Sequence, residues 1–236
     1  MKTIAIVQHT QDDPPGGIAA ALGRLSLSYR VVRIMSGEEA PATTQDLSAL
    51  VLLGGAMHVH QEDKYPFLRV ERRLLADCLA EDVPVLGVCL GAQLLAAAAG
   101  AEVFDRPSPE IGWVDIDIVA SDPLFQGFES PLRVLQWHKQ SFKLPPGSVR
   151  IAARPDGEQV FRAGRRAWGI QFHPEVGTDV IEAWIKEAEE GDRDGLLPGM
   201  GPAIREETQA RMAGYEQLCF RLVENFVRAA GLRDGS

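Results

Sequence analysis

Along its first hundred residues the chain alternates short, wholly apolar runs with longer amphipathic ones, and few architectures accommodate that pattern. Apolar runs of roughly four to eight residues bounded by turn formers read as strands buried on both faces, and runs with a 3.6-residue period read as helices. This places strands at Thr3–Gln8, Tyr29–Ile34, Ala49–Leu53 and Val83–Val88, with helices at Gly17–Leu25 and Tyr65–Ala80. In the second helix Phe67, Val70, Leu74, Leu75, Cys78 and Leu79 share one apolar face, which assigns Cys78 to the core. Neighbouring parallel strands need crossover connections. The expected class is therefore α/β: an open, mainly parallel sheet with flanking helices.

From Trp113 the texture changes. Trp113–Ala120, Leu132–Trp137, Val149–Ala153, Gln159–Arg162 and Ala167–Phe172 are strands separated by Pro and Gly turns. They predict an antiparallel strand addition beside the parallel sheet, after which the chain returns to it. A helix is expected at Val180–Glu190, then a Gly/Pro loop at Gly191–Gly201, then a last helix with Pro202 as its first residue. Tyr215, Leu218, Leu222, Val223 and Phe226 form a stripe on that helix, suited to packing on the domain or on a partner. A length of 236 residues suits a single domain over 1–236, with a C-terminal helical extension from about 177.

Charge narrows the partners. A formal charge of −9 and a pI near 5.1 argue against nucleic acid, where Lys and Arg must neutralise phosphates. The one basic cluster, Arg162 to Arg166 around Gly164, is expected at a solvated hairpin tip. No apolar run approaches the roughly 18–20 residues of a membrane span. Lys2 followed by Thr3–Val7 is too short for a signal-peptide core, so the expected location is the cytoplasm. Cys78, Cys89 and Cys219 are odd in number and lack paired spacing, which predicts no disulfide framework.

Chemistry concentrates in Pro84-Val85-Leu86-Gly87-Val88-Cys89-Leu90-Gly91-Ala92-Gln93. A buried strand runs into Gly-x-Cys-x-Gly and a helix starts at once, the strand–turn–helix setting of a nucleophile elbow with Cys in the Ser position. The glycines are needed because residues two before and two after the nucleophile crowd the backbone. The helix N-terminus favours thiolate, and its free N–H groups, that of Leu90 above all, face the place where an oxyanion would form. A buried structural cysteine beside a tight turn has the same local pattern. A thiol nucleophile needs a base. Among five histidines, His173 ends the strand Ala167–Phe172 and is followed by Pro174 and Glu175. Glu175 can orient one ring nitrogen while the other faces the thiol.

Gly87-Val88-Cys89-Leu90-Gly91-Ala92-Gln93 together with Gln171-Phe172-His173-Pro174-Glu175 resembles the signature of class I glutamine amidotransferases, and Leu53-Gly54-Gly55-Ala56 is similar to that family's Gly-Gly-Pro loop. The three motifs stand in family order within residues 1–176. The resemblance implies a Cys89, His173, Glu175 catalytic triad that forms a γ-glutamyl thioester and releases ammonia, with an oxyanion hole at Leu90 and Gly55. It implies substrate contacts from Gln93 and from the segment Gln136-Trp137-His138-Lys139-Gln140-Ser141, with Trp137, His138 and Gln140 as the binding residues. Ile111-Gly112-Trp113 and Trp137-His138 are similar to the free-standing branch related to the glutaminase part of GMP synthase. This chemistry uses no cofactor.

Two positions depart from the pattern. Ala56 stands where the family usually has Pro, so the loop carrying Gly55 is expected to be less rigid. Gln140 replaces a common acidic residue that would pair with the substrate α-amino group, and an amide makes a weaker hydrogen bond there than a carboxylate. His58 and His60, spaced by two, suit a solvated rim better than a metal site, because no ligand cluster accompanies them. His138 reads equally as a pocket wall or as a satisfied structural histidine. Three functions remain open: a glutaminase serving a synthetase or acceptor subunit in trans, a stand-alone hydrolase of γ-glutamyl peptides or amides, and a catalytically silent interaction module. The chain has no Gly-x-x-x-x-Gly-Lys loop, so any ATP-using step would belong to another polypeptide.

Overall fold

A computed structural model describes residues 2–191, 193, 196–197 and 199–232. Its elements in chain order are β1 (Thr3–Gln8), α1 (Gly16–Arg24), β2 (Tyr29–Arg33), β3 (Leu47–Leu52), α2 (Phe67–Ala80), β4 (Val85–Val88) and α3 (Leu90–Ala98). There follow β5 (Val103–Ile118), β6 (Leu132–Phe142), β7 (Val149–Arg154), β8 (Gly157–Ala163), β9 (Ala167–Ile170), α4 (Thr178–Glu190) and α5 (Met200–Ala229). The strands form one sheet in the order β2-β1-β3-β4-β9-β8-β7-β5-β6. The five strands from β2 to β9 pair in parallel, and β8, β7, β5 and β6 pair antiparallel. The chain thus makes the expected excursion and returns through β9 to lie beside β4.

Successive strand residues point to opposite faces, and both faces here are covered. In β1, Ile4 and Ile6 join the core beneath α1, α4 and α5, while Ala5 and Val7 join the core beneath α2 and α3. β3 and β4 divide in the same way, with Val51, Leu86 and Val88 on the first side and Leu50, Leu52 and Val85 on the second. The stripe on α5 packs on the domain itself: Tyr215, Leu222, Val223 and Phe226 are buried, and Leu218 sits at the margin. Phe226 meets Trp168 of β9 edge-on at 5.8 Å.

Several expectations shift. β5 begins at Val103, not Trp113, despite Pro107 and Pro109. Its pairing with β6 slips between Asp105 and Glu110, and it pairs with β7 only at Asp117 and Ile118. The prolines therefore lie at an irregularity where the ladder asks for no N–H from them. In α2 Val70 is 46 % exposed, and the buried face is instead Leu68, Glu71, Leu74, Leu75 and Cys78. A charged residue inside that face disguised its true direction. Pro202 lies within the first turn of α5 rather than opening it, which costs nothing because first-turn N–H groups have no helical acceptor. Residues 192, 194, 195 and 198 of the expected Gly191–Gly201 loop lie outside the described residues.

The turn between β8 and β9 is the expected basic hairpin tip, yet only Arg165 is solvated. Arg162 bonds Asp122 at 2.7 Å and Arg166 bonds Asp82 at 3.1 Å. Among the described residues no helix is long and apolar enough to cross a membrane.

The junction of β4 and α3 leaves no room for a side chain at either glycine. A Cβ on Gly87 would sit 2.8 Å from Ala92 N, and one on Gly91 would sit 2.7 Å from both the carbonyl carbon and Cβ of Leu52. Neither neighbour can yield, being backbone or a short side-chain root. Gly91→Ala is expected to destabilise the protein by about 3 kcal/mol, the upper range for overpacking. Gly23→Ala, in a helix with open space around it, should instead stabilise it by roughly 0.5 kcal/mol. Denaturant titration of the two variants reads the difference.

Candidate active site

Because β3, β4 and β9 are adjacent and parallel, the loops leaving their carboxyl ends gather at one edge of the sheet, where open α/β sheets bind ligands. Gly54 and Gly55 come after β3, Cys89 after β4, and His173 after β9. Cys89 has φ 49° and ψ −105°, a region that side chains other than glycine rarely adopt. Its N–H bonds Ile170 O at 2.8 Å, which fastens the turn to β9. It caps α3 directly, so the first N–H groups of that helix, including Leu90's, have no helical acceptor.

His173 is buried with its Nδ1 2.8 Å from Glu175 Oε1. Its ring lies against Gly54, where an added Cβ would be 2.8 Å from His173 Cε1 and 3.7 Å from Cys89 Cβ. A side chain at position 54 would therefore wedge into the thiol–imidazole pair. Burial pushes the His173 pKa down, but the neighbouring charges and hydrogen bonds of Cys89 and Glu175 outweigh it, and the value stands well above 6.5.

The C-terminal helices fix this histidine. Tyr215 of α5 donates to His173 O at 2.8 Å and accepts from Leu135 N at 3.1 Å, while His173 N bonds Leu135 O at 3.0 Å. Trp184 of α4 meets the His173 ring edge-on at 5.0 Å and Trp137 at 5.5 Å. Backbone and ring are thus both held, from β6, α4 and α5.

Cys89 opens into a cavity of about 390 Å³ that Gly55, Gln93, Trp137, His138 and Gln140 also line. The residues singled out from the sequence do converge, but not in one role. Gln140 is internally engaged: its Oε1 accepts from Val59 N at 3.1 Å and its Nε2 donates to Asp105 at 2.8 Å. It ties the loop after β3 to β5 and β6, so the oxygen expected to meet a substrate amine is already used. His138 lines the cavity with both ring nitrogens held, Nδ1 by Gln140 O at 2.8 Å and Nε2 by Glu110 at 3.0 Å. It is wall and satisfied histidine at once. Gln93 donates to Gln140 O at 3.1 Å. Trp137 Nε1 is buried and, among the described residues, has no partner, which leaves a donor beside the cavity.

His58 lies on the cavity rim and His60 turns to Val103 O at 3.0 Å. Among the described residues no three His, Cys, Asp or Glu side chains are grouped as a metal ion would require. Sequence reading missed Asp12, Glu187 and Arg193, which also line the cavity. They come from the loop after β1, from α4 and from the segment that follows it, and only tertiary folding brings them there. It also missed His9 and Glu71, fully buried behind the Gly54–Gly55 loop. The one available signal was a glutamate interrupting the apolar face of α2.

Comparison with known proteins agrees with this architecture. The family model for glutamine amidotransferase class-I matches residues 16–185. The chain is 29% identical over 195 residues to the glutamine amidotransferase-like protein YfeJ of Salmonella typhimurium, covering 79% of this chain and 80% of that one. It is 31% identical over 167 residues to a subunit of the glutamine-hydrolyzing GMP synthase of Sulfolobus acidocaldarius, covering 64% and 86%. In the longer GMP synthase of Aeropyrum pernix, the similarity spans only 21% of the relative. A glutamine amidotransferase from Thermotoga maritima superposes with a TM-score of 0.84 at 31% identity, covering 96% of this chain and 98% of that structure. With its elbow, its sheet order and these matches, the chain belongs to the class I glutamine amidotransferase family.

A histidine whose pKa is raised on folding adds stability that is fully present below about pH 6.5 and lost as pH climbs through the folded value. In an NMR titration the His173 midpoint should lie well above 6.5, and Cys89→Ala should move it downward by removing one cause of the rise. A midpoint near 6.5 in both proteins would contradict the described geometry.

Proposed function

We propose that the chain hydrolyses the γ-amide of glutamine through a γ-glutamyl thioester on Cys89, releasing ammonia and glutamate. The observation that carries this is Cys89 in a strained elbow at a helix N-terminus, opening into a cavity and within hydrogen-bonding reach of the buried His173, whose Nδ1 is held by Glu175. The Cys89 sulfur attacks the amide carbon, and the developing oxyanion takes hydrogen bonds from the N–H groups of Leu90 and Gly55. His173 gives its Nε2 proton to the departing nitrogen as the C–N bond breaks. Water then attacks the thioester, His173 accepts its proton, and the C–S bond breaks to leave glutamate. Glu175 fixes the ring and stabilises its cationic form.

The cavity supports a glutamyl ligand. Lys139 on its wall suits an α-carboxylate and Asp12 an α-ammonium, Arg193 and Glu187 on the same wall are paired with each other at 2.8 Å, and Gln93 and Trp137 line the cavity beside them. We read 1–236 as one catalytic unit with its C-terminal helices as the support of His173. A relative named as a subunit fits a synthetase or acceptor partner in trans. A second reading, hydrolysis of larger γ-glutamyl amides, is favoured by the cavity size, which lies within the range of pockets that hold drug-sized ligands.

A glutamine-like chloroketone should alkylate Cys89 and spare the other thiols, because burial pushes Cys78 up to about 12 and Cys219 higher still. Peptide mapping that finds the label on Cys78 or Cys219 would remove Cys89 from its role. Cys89→Ala should abolish turnover, and His173→Ala should lower it by at least about 10³-fold. Glu175→Gln should cost less, since the base itself remains. A fatal His138→Ala beside a near-silent His173→Ala would reassign the base.

The two substrate readings separate on kcat/KM for glutamine against a panel of γ-glutamyl amides, with and without cell extract. Strict preference for glutamine with stimulation by extract marks the partnered glutaminase. Comparable rates on larger amides mark the stand-alone hydrolase.

A further inference from the structure

The Gly54–Gly55 peptide bears the second proposed oxyanion donor, and it is intrinsically prone to turn over. Glycine on both sides leaves φ and ψ nearly unrestricted. A proline at position 56 would have restricted Gly55, but Ala56 does not. Something else must fix the direction of that N–H.

The fixing group lies behind the loop. His9, directly after β1, places Nδ1 3.0 Å from Gly54 O, and its Nε2 is 2.9 Å from Glu71 Oε2 on α2. Both side chains are fully buried. We infer that His9, braced by Glu71, is a positioning residue that holds the Gly54 carbonyl away from the cavity and thereby aims the Gly55 N–H into it, an inference that rests on the proposed oxyanion role of Gly55.

The geometry follows from the peptide plane. In a trans peptide the C=O and N–H point in opposite directions, and among the described residues the single cis bond is Ser130–Pro131. A carbonyl drawn to His9 therefore turns the next N–H away from His9, and Gly55 lines the cavity with Cys89. Among the described residues no backbone acceptor takes that N–H.

The pair is also chemically suited to the task. Gly54 O and the Glu71 carboxylate are both acceptors, so each His9 ring nitrogen must carry hydrogen. Burial lowers the His9 pKa, but the Glu71 charge and hydrogen bond, the Gly54 carbonyl and Asp13 together raise it above 6.5. The bond to Gly54 is then charge-assisted, stronger than a neutral one. Phe67 stacks on the ring at 6.0 Å and keeps it in place. Stability alone is a weak reason to keep such a pair, since apolar residues of similar volume often replace buried ion pairs without loss.

That same fact supplies a test that spares the fold. The double variant His9→Phe/Glu71→Leu removes donor and brace together, while His9→Asn/Glu71→Gln keeps a neutral donor where Nδ1 stood. Relative to wild type, the apolar pair should lower kcat and kcat/KM for glutamine equally, by about 10²-fold, as loss of one oxyanion donor does. Its Cys89 should still react with iodoacetamide at the wild-type rate, because that displacement forms no oxyanion. The Asn/Gln pair should recover at least about a tenth of wild-type kcat. Crystal structures of both variants read the peptide directly, without turnover: the Gly54 carbonyl should point into the cavity in the apolar pair and toward position 9 in the amide pair. An unturned peptide in the apolar variant, or wild-type kcat from it, overturns the inference. Inert wild-type protein would instead count against the proposed function, leaving the peptide orientation to decide this point.

Discussion

Everything at the site depends on Cys89 being held at a positive φ, a conformation that costs on the order of 1–3 kcal/mol. The turn persists because the surroundings over-determine it. Gly87 packs on the backbone of Gly91 and Ala92, Gly91 packs on Leu52 of β3, and the Cys89 N–H is bound to Ile170 of β9. Three adjacent parallel strands thereby clamp one residue. The same clamp sets the distance from Cys89 to the segments leaving β3 and β9, which is why the Gly54–Gly55 loop and His173 arrive on either side of the thiol.

A second regularity is electrostatic. Three buried histidine–carboxylate pairs surround the cavity: His173 with Glu175, His138 with Glu110, and His9 with Glu71. Each histidine is brought from a different part of the sheet, and the rings of His9 and His138 also bond backbone carbonyls. The pairs differ in reach. His173 has one nitrogen turned to Glu175 and the other side toward Cys89, whereas His9 and His138 spend both nitrogens inside the protein. Of these three, His173 is the one whose ring nitrogens are not both spent on carboxylates and backbone carbonyls. Lone buried charges would be untenable in such surroundings, but paired and hydrogen-bonded ones hold a rigid polar wall.

The parallel half of the fold was legible because its signals are local. β1 matches its expected bounds to the residue, and the elbow is written out in Gly87, Cys89 and Gly91. His173 and Glu175 were legible for the same reason, being two residues apart after a strand. What the sequence concealed depends on distant partners. The early start of β5 rests on pairing with β6, which overrides Pro107 and Pro109. The burial of Glu71 makes sense only once His9 is opposite it, and the engagement of Gln140 only once Val59 and Asp105 arrive. Asp12, Glu187 and Arg193 carry no mark at all until α4 closes over the carboxyl edge of the sheet.

On the proposed mechanism Cys89 becomes acylated during turnover. Rapid acid quench of the protein during turnover of glutamine, followed by mass spectrometry of its peptides, tests this most directly. A γ-glutamyl adduct on the peptide that carries Cys89, labile to hydroxylamine as a thioester is, is the predicted result. Ammonia released at a steady rate with the Cys89 peptide unmodified at every quench time, even when hydrolysis of the acyl form is slowed by Glu175→Gln, or with the adduct on another residue, would contradict the account.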